Sequence, residues 1–246
     1  MNTAPHWPAR VVALALAAFL AACANRGSNA PEPTPAPDTP KPPAQAPAPD
    51  STIPGVVALF NGKDLSGWTQ RGGKAAYFVE GDAIVGETRP NQPNSFLCTQ
   101  REFSDFILEL EFLADLEANS GIQFRSQSRP DYKNGIVHGY QAEIDTTDRA
   151  WSAGIYDEGR RGWLAPLDKN PEARGAFKQN QWNHLKIECR GSRIRTWLNG
   201  VPCADLQDDL TPKGFIALQV RGVGDRQSPL RVRWKNFLLT DLSARR

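Results

Sequence analysis

From residue 55 onward, apolar and polar positions alternate with a period of two between Gly and Asx turn signals. Phe106, Leu108, Leu110 and Phe112 alternate with Ile107, Glu109 and Glu111, as a strand with one face buried requires. The same pattern sets Ile122 and Phe124 against Gln123 and Arg125, and Tyr140, Ala142 and Ile144 against Gln141, Glu143 and Asp145. It recurs in Leu185-Ile187-Cys189, in Leu218 and Val220 against Gln219 and Arg221, and in Leu230-Val232-Trp234. Asn199-Gly200 between two such runs predicts a tight hairpin, because both central residues need positive φ, with Leu198 facing Val201 and Thr196 facing Cys203. Pro171 to Gln179 predicts one short helix, with Asn170 as N-cap and Pro171 at the first position. Many strands without crossover helices predict an all-β, antiparallel sandwich or jelly roll.

The first 54 residues read differently. Val11 to Ala22 is an unbroken apolar run, too short for the roughly 20 residues of a bilayer span but suited to a secretory signal. It ends in Leu20-Ala21-Ala22-Cys23, which resembles the lipobox of bacterial lipoproteins; that resemblance implies lipidation at Cys23 and a membrane-anchored protein. Ten of the 20 prolines then lie between Pro31 and Pro54, a composition that favours an extended polyproline spacer. The expected organisation is a signal peptide at 1–22, a lipidated Cys and linker at 23–54, and one domain at 55–243. The expected location is the cell envelope, at the outer membrane or facing the periplasm.

A net charge of +2 gives no basis for a polyanion or nucleic-acid partner. Cys98, Cys189 and Cys203 remain beyond the anchor. With Cys189 paired to about Ile194, Cys189 and Cys203 fall on strands flanking a shared middle strand, about 9.5 Å apart. A disulfide needs Cα atoms within about 7 Å, so free, buried thiols are expected.

The alternation also gathers candidate chemistry. Gln141, Glu143 and Asp145 share one face of one strand, and Gln123, Arg125, Gln219 and Arg221 share the corresponding face of others. Two carboxylates at i and i+2 stand about 7 Å apart, and an arginine or metal ion beside them relieves their repulsion. The loop from Trp151 to Trp163 mixes aromatics, charges and glycines. Trp151, Tyr156 and Trp163 are candidate stacking platforms for a ligand, with Asp157 and Arg160 as hydroxyl partners.

Six strings occur in order. They are Leu59-Phe60-Asn61-Gly62-Lys63-Asp64-Leu65-Ser66-Gly67-Trp68, Asn119-Ser120-Gly121-Ile122-Gln123-Phe124-Arg125, Gly139-Tyr140-Gln141-Ala142-Glu143-Ile144-Asp145, Gln181-Trp182-Asn183, Leu198-Asn199-Gly200-Val201 and Gly214-Phe215-Ile216-Ala217-Leu218-Gln219. Together they resemble the 3-keto-disaccharide hydrolase domain family over nearly all of 57–241. The resemblance implies a concanavalin-like jelly roll that cleaves 3-keto-glycosides on its concave sheet, and a sugar 3-dehydrogenase acting upstream. In such chemistry the ketone acidifies the C2 hydrogen, a base removes it, the C1 substituent is expelled and water then adds. On that reading Glu143 is the base, Asp145 its partner or a metal ligand, and Arg125 the oxyanion stabiliser. Gln141 and Gln123 hold sugar hydroxyls, and His138, Gln219 and Arg221 line the cleft. A divalent cation such as Ca²⁺ is a candidate cofactor. A non-catalytic carbohydrate-binding surface module and a two-carboxylate glycosidase are the rival readings.

Overall fold

The computed structural model describes residues 55–243. The expected signal peptide, Cys23 and the expected proline-rich linker lie outside the described residues. What is described is an antiparallel β-sandwich of the jelly-roll class. The first sheet runs β13 (Val201–Gln207), β12 (Arg193–Leu198), β11 (Asn183–Arg190), β6 (Phe106–Ala114), β15 (Arg231–Asp241), β4 (Ala83–Glu87) and β3 (Ala76–Glu80), with β1 (Val56–Val57) paired to β15. The second sheet runs β10 (Gly162–Ala165), β9 (Ile155–Glu158), β8 (His138–Asp145), β7 (Asn119–Gln127), β14 (Gly214–Val220), β5 (Ser95–Phe103) and β2 (Trp68–Gly72).

The apolar rows close on one another between the sheets. Leu108, Leu110 and Phe112 of β6 and Ile187 of β11 meet Ile122 and Phe124 of β7 and Tyr140, Ala142 and Ile144 of β8 in one buried cluster. Each such side chain contributes about 1.5–3 kcal/mol by leaving water. The first sheet keeps a solvent face, visible in the strict alternation of burial along β6. β8 and β14 differ, being buried at every position, so the second sheet is covered on both faces.

The Asn199-Gly200 hairpin forms, and Cys189 pairs with Ile194 as the pattern predicts. Leu198 faces Val201, but Thr196 faces Ala204 rather than Cys203. The register shifts between Thr196 and Trp197: Trp197 pairs with Pro202, which has no N–H to give the ladder, and Cys203 is the extra, unpaired residue of the bulge. Cys98, Cys189 and Cys203 are free and buried, and burial pushes the Cys189 thiol up to about 12. The helix α1 spans only Pro171–Arg174, capped by Asn170, whose Oδ1 accepts from Ala173 N at 3.1 Å. It stops there because Phe177 leaves the helical path to stack on Phe112, with ring centroids 6.2 Å apart.

Arg125 departs most from expectation. A one-residue bulge interrupts β7, with Phe124 opposite Tyr140 but Gln127 opposite His138. Arg125 lies in it with φ of 46°, which turns its side chain off the outer face. The guanidinium is 1% exposed. Its Nε donates to Ser104 O at 2.7 Å, Nη1 to Gly191 O at 2.8 Å and Nη2 to the Asp105 carboxylate at 3.1 Å. Arg125 therefore ties two turns to the sandwich and is no oxyanion stabiliser. Arg125→Ala is expected to lower the unfolding free energy by about 3–5 kcal/mol, since it strands buried acceptors. Urea unfolding checks this, and an unchanged midpoint would count against the structural role.

Candidate functional site

The outer face of the second sheet carries a cleft of about 300 Å³. Its floor is drawn from five neighbouring strands: Trp163 from β10, Tyr156 and Glu158 from β9, Gln141 and Glu143 from β8, Asn119 from the start of β7, and Gln219 from β14. Asn94, Arg149 and Arg221 wall it from the loops. The strand period explains the set. Tyr140, Ala142 and Ile144 enter the core, so Gln141 and Glu143 must face outward. On β9, Ile155 and Asp157 are buried while Tyr156 and Glu158 face the cleft.

Glu143 sits at the centre and is nearly fully buried. Its Oε1 accepts from Asn119 Nδ2 at 2.8 Å and its Oε2 from Gln141 Nε2 at 2.7 Å. The Arg149 guanidinium stands 3.7 Å from Oε1. Burial raises the carboxyl to about 7, and the two amides and Arg149 offset only part of that rise. The amides continue below the floor: Gln123 Nε2 donates to Gln141 Oε1 at 2.7 Å, and the Ser126 hydroxyl donates to Gln123 Oε1. Gln123 has no exposed surface, so it supports Gln141 and does not meet a ligand.

Gly121 makes this possible. A Cβ there would lie 2.4 Å from Cγ and Cδ of Gln141, so the Gln141 side chain crosses the space a larger residue would fill. The Asn119-Ser120-Gly121-Ile122-Gln123 string thus supplies one Glu143 donor, one gap for the other donor, and the support beneath it.

Arg149 is positioned by Asp145 and two tryptophans. Its Nε donates to Asp145 Oδ2 at 2.7 Å, and its guanidinium lies 5.0 Å from both the Trp151 and the Trp163 ring. Asp145 does not line the cleft. Its oxygens accept from Thr147 N and Oγ1, from Arg149 and from Trp151 N. Burial alone would raise its carboxyl, but these bonds hold it below the ordinary value. Asp145 is therefore a positioning group for Arg149 rather than a partner of Glu143. Among the described residues no group of three or more His, Cys, Asp or Glu side chains converges as a metal cage would.

Glu158 is the second carboxylate of the cleft. Burial raises its carboxyl, countered by a bond from Asn94 Nδ2 at 3.2 Å, by Arg221, and by Gln219 Nε2 at 3.4 Å. Gln219 lines the cleft, and its Oε1 is buried without a hydrogen-bond partner. Trp151 packs edge-on behind Trp163 at 4.7 Å, and Tyr156 packs against Trp163 at 5.2 Å, so Tyr156 and Trp163 present the aromatic surface.

Three other expected site residues lie elsewhere. His138 has Nδ1 against Ile136 O at 2.9 Å and its ring against Tyr132 at 4.1 Å, away from the cleft. Asp157 is one residue out of phase with Tyr156 and Glu158, so it enters the interior, where Arg160 and Arg161 pair with it. Arg160 also bonds Thr211 and covers the Tyr140 ring, fixing the strand end rather than a sugar. Conversely, Glu158, Arg149 and Asn94 were not foreseen. The period of β9 could have flagged Glu158 through Tyr156. Nothing local marks Arg149 or Asn94, which reach the cleft from irregular loops.

Two expectations follow from this geometry. Glu143→Ala removes a cost as well as a group, but Glu143→Gln keeps the volume and most hydrogen bonds, since its amide oxygen still accepts from Gln141 and the Asn119 amide can reverse. The folded carboxyl titrates near 7 and the unfolded one near 4.5. The penalty of ionising it in the fold is therefore absent below about pH 4 and complete above about pH 8, reaching about 3 kcal/mol. Glu143→Gln should match the parent in thermal stability at acid pH and exceed it by several degrees at pH 8; a pH-independent difference would refute this. Gly121→Ala should fold normally yet behave like a Gln141 variant in any assay of the cleft, because the methyl group displaces that side chain.

No curated protein matches the sequence. Among solved structures, a candidate glycosyl hydrolase from Parabacteroides distasonis is similar with a TM-score of 0.55 and 18% identity, over 77% of this chain and 94% of that one. A galectin-like protein of unknown function from Bacillus subtilis is similar with a TM-score of 0.51 and 12% identity, over 72% of this chain and 90% of that one. At such identities these likenesses show the fold alone. The model of one domain family matches residues 55–240, the same family that the six ordered strings resemble. The chain belongs to the 3-keto-alpha-glucoside-1,2-lyase-like domain family.

Proposed function

We propose that the domain cleaves 3-keto-glycosides by elimination across C1 and C2, with Glu143 as the base. The observation that carries this reading is a single buried carboxyl, raised to about 7, held by two amide donors on a cleft floor beside a guanidinium. A general base tuned near neutral pH combines adequate basicity with a usable ionised fraction. The family's description, which names a 1,2-lyase, supports the same bond change.

The ketone at C3 makes the C2 hydrogen acidic. Glu143 takes that proton, and the electron pair spreads onto the C3 oxygen. Arg149, fixed by Asp145 and the tryptophans, meets the developing negative charge, the role first expected of Arg125. The enolate re-forms the ketone as the C1–O bond breaks, leaving a C1=C2 double bond. Glu158, whose carboxyl burial raises above its ordinary value, so that it keeps its proton to higher pH, protonates the departing oxygen. Water added across C1=C2 then completes a net hydrolysis; release of the unsaturated sugar completes a lyase reaction. Gln219 Oε1 accepts from a sugar hydroxyl, and Trp163 and Tyr156 offer ring faces to the sugar.

The substrate must arrive oxidised, so a sugar 3-dehydrogenase works upstream in this scheme. Lipidation at Cys23 would hold the domain at the cell envelope. Turnover with and without EDTA reads whether a divalent cation takes part.

Turnover of a 3-keto-glucoside against its unoxidised parent tests the proposal. Cleavage of the keto sugar alone is expected, with kcat/KM rising through about pH 7 as Glu143 ionises. Glu143→Gln should fold and lose roughly 10²–10⁴-fold in kcat. Glu158→Gln should be rescued selectively by a leaving group that needs no proton. Glycan binding without turnover of either sugar would replace the enzyme with a binding module.

A further inference from the structure

The outer face of the second sheet is divided. Beside the polar cleft lies a larger groove of about 530 Å³, and Asn94 and Glu158 line both. Apart from these and Gln92, the side chains on its walls are apolar: Phe96, Val137, Ile136 and Pro93. They continue a cluster on this face, separate from the core, that includes Phe96, Val137, Phe215 and Ala217. The division is written into β14, whose outward positions run Phe215, Ala217 and Gln219, with Arg221 just past its end. Ile136 is an aliphatic side chain left 41% exposed at the rim.

We propose that this groove is the leaving-group subsite, and that the glycosides cleaved here carry an apolar, aromatic-sized aglycone rather than a second sugar. The inference rests on the elimination reading. There the C1 oxygen must lie against the group that protonates it, and Glu158 stands on the boundary between the two cavities. With the sugar over Glu143, the substituent beyond that oxygen enters the apolar groove. A second sugar would bring hydroxyls against Phe96, Val137 and Ile136, which offer them nothing, whereas a ring or terpenoid-like body would shed water there.

The full chain can be tested with 3-keto-glucosides of methanol and 2-phenylethanol, whose leaving alcohols are similar in acidity, so that kcat/KM differences read the groove. Burial of the phenyl ring should favour the phenylethyl substrate by about 10–100-fold. Ile136→Asn, which puts an uncharged polar group on the groove rim, should reduce that preference several-fold. Calorimetry with the unoxidised phenylethyl glucoside, methyl glucoside and a glucosyl-glucose reads the groove without turnover, and the phenylethyl ligand should bind tightest. Equal kcat/KM for the two alcohols, or tighter binding of the disaccharide, would overturn the aglycone assignment. Failure to cleave either keto substrate, with the binding order intact, would sink the elimination reading and keep the apolar subsite.

Discussion

A carboxylate on a sheet covered on both faces must be solvated by protein, and Glu143 is solvated by Asn119 and Gln141. Much of the second sheet is arranged around that need. Gly121 is small so that Gln141 can reach across it, Gln123 lies beneath to hold Gln141, and Ser126 closes the chain at the β7 bulge. Arg149 approaches without a full ion pair because Asp145 and two indole rings hold it at a distance. The outcome is a carboxyl neither fully neutralised nor fully exposed, which is the condition for basicity near neutral pH.

Other strong ion pairs lie away from that carboxyl. Arg125 with Asp105, and Asp157 with Arg160 and Arg161, bind turns and strand ends to the sandwich. Had any of these three arginines pointed into the cleft, the carboxyl would be pulled toward ordinary acidity. The β7 bulge and the pleat phase of β9 are the backbone devices that keep those charges apart.

Much of this was legible in the sequence where the pattern was regular. The alternation in β6, β8, β11 and β15 gave the sandwich and put Gln141 and Glu143 on one outer face. The turn chemistry gave the Asn199-Gly200 hairpin. The reading failed where a single inserted residue reverses phase, as at Arg125 and between Thr196 and Trp197, because a bulge has no reliable local signature. It failed at Asp157 by taking loop composition over strand period. Arg149 and Asn94 were invisible because their approach to Glu143 and Glu158 is set by tertiary contacts of irregular segments, not by spacing. The buried, unbroken run of β14 held a further hint: a strand apolar on both sides announces a second covered face.

The amide chain from Ser126 through Gln123 and Gln141 to Glu143 has a polarity, each nitrogen pointing toward the carboxylate. A proton arriving on the side of Glu143 that faces Gln141 would oppose an N–H, and relieving that would require two buried amides to turn over together. The other oxygen accepts from Asn119 Nδ2, an amide that stands outside that chain and can turn without disturbing it. The chain therefore works as a rectifier. It makes the Asn119 side of the carboxyl the easier seat for a proton.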